Sequence, residues 1–322
     1  MKILFIPQRG NEEPWQSDVV DAFDGRFELS ILDHDAPLPP QFEGVRVAVD
    51  QGGWATREMI DAGADAGVVL WQVIGMGLDH SEVDHILARG IRLANTPGQF
   101  SAIALAEHAL LLILCFAKRL RELERNVRAG VLWRPTTDEL PGQTLGVVGL
   151  GASGRELARR ATAMGMRIVA VDPVAIEEDV LALHGVEWCG GTDRLDELLQ
   201  QSDYVSLHVP LKARTRHLLD RGKLALLKPT AVLVNVARGA LVDEEALVEA
   251  LRNGRLRGAG LDVFSQEPLP PDSPFLTLEN VIATPHVAGT TLETSRRRAR
   301  ACVENAERIE QGLDPLYEIT AW

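Results

Sequence analysis

The stretch over 144–172, TLGVVGLGASGRELARRATAMGMRIVAVD, constrains this chain more than any other. An apolar run over 145–148 reads as a buried parallel strand. Gly149, Gly151 and Gly154 then make G-x-G-x-x-G, and Leu157, Ala158, Ala161 and Met164 follow at helical spacing. A second apolar run over 168–171 ends at Asp172. Strand, turn, helix and strand stand in the order of a βαβ half-unit. Gly149 allows the tight turn, Gly151 leaves the backbone bare for a pyrophosphate, and Gly154 lets helix and strand pack closely. The first N–H groups of the helix and its partial positive charge then face the phosphates. Asp172 lies 18 residues beyond Gly154, where an acid reaches both ribose hydroxyls. A glycine turn alone is common in α/β domains. The four parts together predict a dinucleotide site.

A chain of 322 residues has room for two domains. Its net charge of −13 argues against a general nucleic-acid surface, but not against an anionic substrate met by a local arginine. Cys115, Cys189 and Cys302 are scattered, show no metal-ligand spacing and fit a reducing, cytoplasmic compartment. The first residues read as a strand rather than a signal peptide. The apolar run over 103–116 contains Glu107 and His108 and is too short to span a bilayer.

Strands alternate with helices along the whole chain, which points to parallel sheets with helices on their faces. Residues 1–100 form a small α/β domain with strands over 2–6, 27–32, 45–49, 68–73 and 91–94. The segment over 33–40, DHDAPLPP, reads as turn. One long helix over about 101–129 bridges the domains, apolar in its first half and charged in its second. Trp133 lies in the loop beyond. A dinucleotide-binding domain fills the chain to 290, with later strands over 204–208, 231–236, 258–263 and 281–283. A last helix over 293–311, rich in arginine and glutamate as a solvated face would be, returns 291–322 to the first domain. The expected site is the crevice between domains, beyond the strands' carboxyl ends.

Three polar residues follow three of those strands: Arg238 after 231–236, Glu267 after 258–263 and His286 after 281–283. A guanidinium holds a carboxylate in two parallel hydrogen bonds. An imidazole moves a proton near neutral pH, and a carboxylate beside it favours its charged form. Singly, each reads as a surface charge. Together, at consecutive strand ends beside a dinucleotide motif, they read as a reaction centre.

The chain resembles the D-isomer-specific 2-hydroxyacid dehydrogenases over nearly its whole length. The stretches that carry the resemblance are GMGLDH (75–80), NTPG (95–98), AEH (106–108), TLGVVGLGASG (144–154), HVPL with Thr215 and Arg216, NVARGALVDEEAL (235–247), GAGLDVFSQEPLP (258–270) and ATPHVAG (283–289). The resemblance implies a doubly wound Rossmann-type NAD-binding domain plus a smaller flavodoxin-like substrate domain. It implies that Arg238 anchors the substrate's carboxylate and keto oxygen, that His286 is the acid/base and that Glu267 is its partner. It implies substrate contacts from the N–H groups of Met76 and Gly77. Cofactor contacts carry over to Gly149, Gly151, Ala152, Ser153, Gly154, Asp172, His208, Val209, Pro210, Thr215, Val236, Ala237, Arg238, Asp262, His286, Ala288 and Gly289. A homodimer built through the cofactor domain is implied as well, with no metal. Ala152 and Ser153 depart from the family, which commonly has a larger polar or basic residue and then isoleucine there. Val171 stands where tyrosine is frequent. No C-terminal regulatory domain is expected.

The expected activity is NAD-dependent interconversion of a small 2-keto acid and its D-2-hydroxy acid. Two rivals share these features: a formate- or phosphite-type dehydrogenase, and a non-enzymatic NADH-responsive protein of the corepressor kind. The substrate's side chain is not legible, and Trp133 reads equally as a substrate contact or as packing.

Overall fold

A computed structural model describes residues 1–320, so the last two residues of the expected 291–322 segment lie outside it. Thirteen strands are described, in chain order: β1 Lys2–Ile6, β2 Glu28–Ile31, β3 Val45–Gln51, β4 Leu70–Ile74, β5 Arg92–Ala94, β6 Thr144–Val148, β7 Arg167–Val171, β8 Val186–Gly190, β9 Tyr204–Leu207, β10 Val232–Asn235, β11 Gly258–Leu261, β12 Val281–Ala283 and β13 Glu318–Ile319. They divide between two compact units, one built from Met1–Phe100 with the chain from Thr290 onward, the other from Ser101–Gly289.

The first unit holds a six-stranded sheet in the order β13-β5-β4-β3-β1-β2. The core order 2-1-3-4-5 is flavodoxin-like. All its pairings are parallel except the short edge strand β13, which runs antiparallel to β5. Helix Leu292–Glu310 packs on helix Trp15–Phe23 and on β4. The sequence reads this helix as a solvated face. Its buried side is larger than that reading allows, with Ala299, Cys302, Val303 and Ala306 in the core. Asn305 is buried too: its Nδ2 donates to Gln72 Oε1 at 2.6 Å and to the Leu316 carbonyl at 3.1 Å, and its Oδ1 accepts from Leu316 N–H at 2.7 Å. Burying two amides requires such pairing, and this pair ties the terminal segment to β4.

The second unit holds a seven-stranded sheet in the order β12-β11-β10-β9-β6-β7-β8, all parallel. Beginning from β6, this is the 3-2-1-4-5-6 order of a doubly wound Rossmann domain with one strand added. Near-continuous apolar strands suit a sheet buried on both faces. Helix Ala102–Ala117 lies against β10 and β11 and against helix Ala152–Ala163. Gly258 and Gly260 permit that seat, because a Cβ on either would stand 2.4 Å from the Phe116 ring and 3.0 Å from Leu112.

The long helix expected over 101–129 is two helices, Ala102–Ala117 and Leu120–Arg128, separated by Arg119 in the left-handed region at φ 52°. Nothing in Lys118-Arg119 breaks a helix locally. The break is tertiary: Lys118 Nζ donates to the Asp138 carbonyl at 2.7 Å, and the Phe116 carbonyl accepts from Arg257 at 3.1 Å. The apolar half stays on the sheet while the charged half turns to solvent. Two further elements differ from the sequence reading. The turn-rich 33–40 segment gives way to a short helix, Leu38–Phe42, because its prolines fall in the first turn, where no N–H is needed. The strand β8, VEWCG, extends the sheet beyond β7 without an apolar run to announce it. No helix among the described residues is long and apolar enough to cross a membrane.

Candidate active site

In the second sheet the strand order reverses between β6 and β9, the place where open α/β sheets bind ligands. The glycine turn leaves the end of β6 here. Gly149 has φ +95°, and a Cβ on it would stand 2.7 Å from the His208 carbonyl oxygen, so the turn can pass β9 only as glycine. A Cβ on Gly154 would stand 2.1 Å from the Gly149 carbonyl oxygen. Gly151 differs from both: nothing among the described residues lies within 4 Å of where its Cβ would be. It is the N-cap of helix Ala152–Ala163, and its side of the helix has no side-chain cap on the first N–H groups among the described residues. Bare backbone, an open face and uncapped N–H groups fit a pyrophosphate.

Asp172 ends β7. Its Oδ2 accepts from Leu150 N–H and its Oδ1 from Val174 N–H, at 2.8 and 2.9 Å, which fixes the carboxylate beside the turn. Each oxygen keeps acceptor capacity for a ribose hydroxyl. His208 follows β9 and bonds Ser153 Oγ through Nδ1 at 3.0 Å and Ser206 Oγ through Nε2 at 2.9 Å. Burial pushes its imidazole down to about 4, so it is neutral at physiological pH. Beyond it, Val209 is half-buried and Pro210 exposed. The Thr215 hydroxyl donates to the Pro210 carbonyl at 2.8 Å and accepts from Lys212 N–H at 2.7 Å, closing the loop.

The polar residues expected after β10, β11 and β12 gather on the same edge. Val236 is buried and Ala237 half-buried, and Ala237 N–H is held by Asn235 Oδ1 at 3.1 Å. Asn235 Nδ2 also donates to the Arg238 carbonyl at 2.8 Å, so one side chain shapes the turn that presents the guanidinium. Gly239 then lets this turn press against the β11 loop: a Cβ on it would stand 1.9 Å from the Phe264 carbonyl carbon. That loop is held by two carboxylates. Glu267 Oε1 accepts from Phe264 N–H at 2.8 Å, and Glu244 Oε1 accepts from Ser265 N–H at 2.7 Å. Burial raises the Glu244 carboxyl above its ordinary range, against the pull of the Ser265 bonds.

The other oxygen of Glu267, Oε2, lies 2.7 Å from His286 Nδ1. Burial alone would raise the Glu267 pKa. The His286 bond, the Phe264 N–H and the charges of His286 and Arg238 outweigh it, and the net direction is down. Glu267 is therefore an anion at neutral pH. Its grip on Nδ1 leaves the Nε2 edge of His286 to meet a ligand.

His286 itself has φ +54°, a conformation that costs a non-glycine residue about 1–2 kcal/mol. The compensation comes from Asp262, which is fully buried at the end of β11. Its Oδ1 accepts from the Thr284 hydroxyl at 2.6 Å and from Val287 N–H at 3.0 Å, and its Oδ2 from Ala288 N–H at 2.8 Å. His286 N–H donates to the Asp262 carbonyl at 2.8 Å. Asp262 has no exposed surface, and the buried Ala288 spends its N–H on it, so both brace the His286 loop from below. Gly289 follows, half-buried. Sequence reasoning missed His108, whose Nε2 lies 3.0 Å from Thr284 Oγ1 and 3.6 Å from Asp262 Oδ1. It missed Ser206 too. The signal for Ser206 was a lone hydroxyl inside the apolar strand YVSL. For His108 and Thr284 the chain gives no spacing signal, since 176 residues separate them.

In the first unit, Met76 and Gly77 lie in the loop after β4. Gly75 N–H donates to Thr96 Oγ1 at 2.9 Å, and Asn95 Nδ2 donates to the Met76 carbonyl at 2.8 Å. The Met76 side chain is exposed. A second buried carboxylate, Asp50, braces the neighbouring loop through Trp54 N–H, Ala55 N–H and Trp71 Nε1. Trp133 is 95% exposed and belongs to no described cluster.

A dinucleotide turn at the switch point, with a guanidinium and a carboxylate–imidazole pair on the same sheet edge, defines a nicotinamide-linked oxidoreductase. The profile of the D-isomer specific 2-hydroxyacid dehydrogenase NAD-binding domain matches residues 110–288. The glyoxylate reductase of Korarchaeum cryptofilum is 43% identical over 320 residues, covering 96% of this chain and 92% of that one. The crystal structure of the TT0316 protein from Thermus thermophilus superposes with a TM-score of 0.83 at 34% identity, covering 99% of this chain and all of that one. D-lactate dehydrogenase from Aquifex aeolicus, solved with NAD and lactic acid, superposes with a TM-score of 0.79 at 29% identity over 96% of both chains. The chain belongs to the D-isomer specific 2-hydroxyacid dehydrogenases, and its cofactor is NAD.

Proposed function

We propose that this enzyme reduces a small 2-keto acid to the D-2-hydroxy acid and catalyses the reverse, with His286 as the acid/base. The observation that carries the reading is the 2.7 Å bond between His286 Nδ1 and Glu267 Oε2 on the ligand edge of the sheet. NAD, when bound, supplies hydride chemistry at its nicotinamide ring. The residues do the rest. The glycine turn and Asp172 hold the cofactor's pyrophosphate and ribose. Arg238 clamps the substrate carboxylate and polarises the keto oxygen. His286, protonated in the reducing direction, gives its Nε2 proton to the developing alkoxide, and Glu267 keeps the ring oriented while it is charged. Positioning and preorganised charge of this kind each lower a barrier by several kcal/mol.

The glyoxylate reductase relative makes glyoxylate the first substrate to try, with hydroxypyruvate and pyruvate beside it. A homodimer fits the exposed apolar surface of the second unit, where Leu120, Val127, Leu132 and Trp133 all stand 51% or more exposed. The three free thiols suit a reducing cytoplasm. The test is NADH oxidation, followed by absorbance, across a panel of 2-keto acids with formate and phosphite as NAD-linked controls. Turnover of a keto acid supports the reading. Turnover of formate or phosphite alone, or cofactor binding without turnover of any panel member, sinks it.

A further inference from the structure

We propose that Ser153 is a side-chain donor to the pyrophosphate of the cofactor, aimed by a directed chain of hydrogen bonds that runs from Ser206 through His208. The inference rests on the reading of the glycine turn as the pyrophosphate site. The turn itself carries only part of such a site. Ala152 brings no basic group to it, Arg155 spends its Nε on the Leu150 carbonyl at 2.9 Å, and the first N–H groups of the helix are the backbone donors.

The direction of the chain follows from one buried proton. Ser206 sits within β9 at 0% exposure. Among the described residues, His208 Nε2 at 2.9 Å is the partner of its hydroxyl. A hydroxyl buried this deeply has one proton to donate, and leaving it unpaired carries the full desolvation cost of the group. Ser206 therefore donates, and Nε2 accepts and bears no proton. Burial keeps His208 neutral, so its single ring proton is on Nδ1. Nδ1 lies 3.0 Å from Ser153 Oγ and donates to it. The Ser153 hydroxyl thus accepts from inside the protein and turns its own proton outward.

That proton leaves from the second residue of helix Ala152–Ala163, among the uncapped N–H groups. Ser153 is half-exposed there, and Gly151 leaves the face open. A donor fixed in advance loses no orientational freedom when an anion arrives. The arrangement supplies a neutral hydroxyl of fixed aim. Ionic screening weakens charge–charge contacts far more than a short hydrogen bond, so the contribution of Ser153 should persist at high salt.

Two measurements test this on the full-length protein. The first is the tautomer of His208, read from ring nitrogen shifts by NMR with histidine-labelled protein, the resonance being assigned with His208→Asn. Nδ1–H is expected in the wild type, with a move toward Nε2–H in Ser206→Ala. Nε2–H in the wild type would overturn the directed chain. The second is binding by calorimetry of NADH, ADP-ribose and adenosine. Ser153→Ala should weaken NADH and ADP-ribose about tenfold, the size of one hydrogen bond to a charged group. It should leave adenosine, which has no phosphate, unchanged, and Ser153→Thr should restore most of the loss. Unchanged ADP-ribose affinity in Ser153→Ala, or an equal loss for adenosine, would overturn the proposal. A wild-type protein that binds neither NADH nor ADP-ribose would instead sink the pyrophosphate site itself.

Discussion

The glycine turn and the His286 loop lie on the same sheet edge and are built in opposite ways. The turn is local. Gly149 to Asp172 is one run of chain, and its contacts are made by backbone atoms that Gly149, Gly151 and Gly154 bring close. The His286 loop is assembled. Arg238, Glu267 and His286 arrive from β10, β11 and β12, and their support comes from Asp262, Thr284, Glu244 and the more distant His108. A site made of backbone tolerates side-chain change away from its glycines. A site made of side chains from several strands depends on every loop that positions them.

The largest expected effect is at the assembled end. His286→Ala should lower kcat by at least ~10²-fold in both directions, the usual worth of a positioned acid/base. NADH affinity should stay within about twofold if the two ends are separable. A matching loss of NADH affinity would break the distinction between them.

A pair of glycine substitutions puts the comparison to its sharpest use. In Gly239→Ala the new methyl meets the Phe264 backbone, so the β11 loop must shift and carry Glu267 with it. Displacements of about 1 Å in such sites cost on the order of 10²-fold in rate, so kcat should fall by tens-fold with NADH Kd little changed. In Gly154→Ala the methyl meets the Gly149 carbonyl, and the turn must open. Here Kd for NADH should rise about tenfold or more, the loss of one charged hydrogen bond or its equivalent. Stopped-flow rates and calorimetric Kd values on both proteins decide it, after circular dichroism has shown them folded. If the two variants lose rate and affinity in the same proportion, the ends are not independent.

A smaller effect concerns cofactor choice at the local end. Asp172 is fixed beside the turn by Leu150 and Val174 N–H groups and would oppose a 2′-phosphate by charge. NAD(H) should be preferred over NADP(H) by at least about tenfold in kcat/KM, or about 1.4 kcal/mol. Equal kcat/KM with the two cofactors would remove Asp172 from that role.

The smallest change expected in the rate at its optimum is also the most diagnostic. Glu267 is held below its ordinary range and is an anion across the neutral range. Its bond to His286 Nδ1 at 2.7 Å orients the ring. In Glu267→Gln the shape is largely kept and the charge is lost, so kcat should fall about fivefold in both directions, the worth of one hydrogen bond, with NADH Kd unchanged. Rates equal to the wild type in both directions would leave Glu267 only its bond to Phe264 N–H.

Much of this molecule can be read before it folds. The strands β6, β7 and β12, the dinucleotide turn and the order of Arg238, Glu267 and His286 along the chain are all present in apolar runs, glycine spacing and strand ends. These features are legible because their physics is short-range: a tight turn, a missing Cβ, a run of residues buried on both faces. The break at Arg119 is not legible. Lys118 and Phe116 are recruited there by Asp138 and Arg257, which no helix propensity encodes. The fate of Asp262 is hidden for the same reason. As a residue in GLDVF it is one more polar group at a strand end, yet the tertiary structure buries it among Thr284, Val287 and Ala288 and makes it the support of the His286 loop. The order of donors from Ser206 to His208 to Ser153 is likewise a tertiary fact, because it depends on which proton is shut away from water. The sequence by itself determined the glycine turn and the order in which Arg238, Glu267 and His286 follow their strands. The fold decided how those groups are held, since hydrogen bonds between residues far apart in the chain exist only once the strands have placed them.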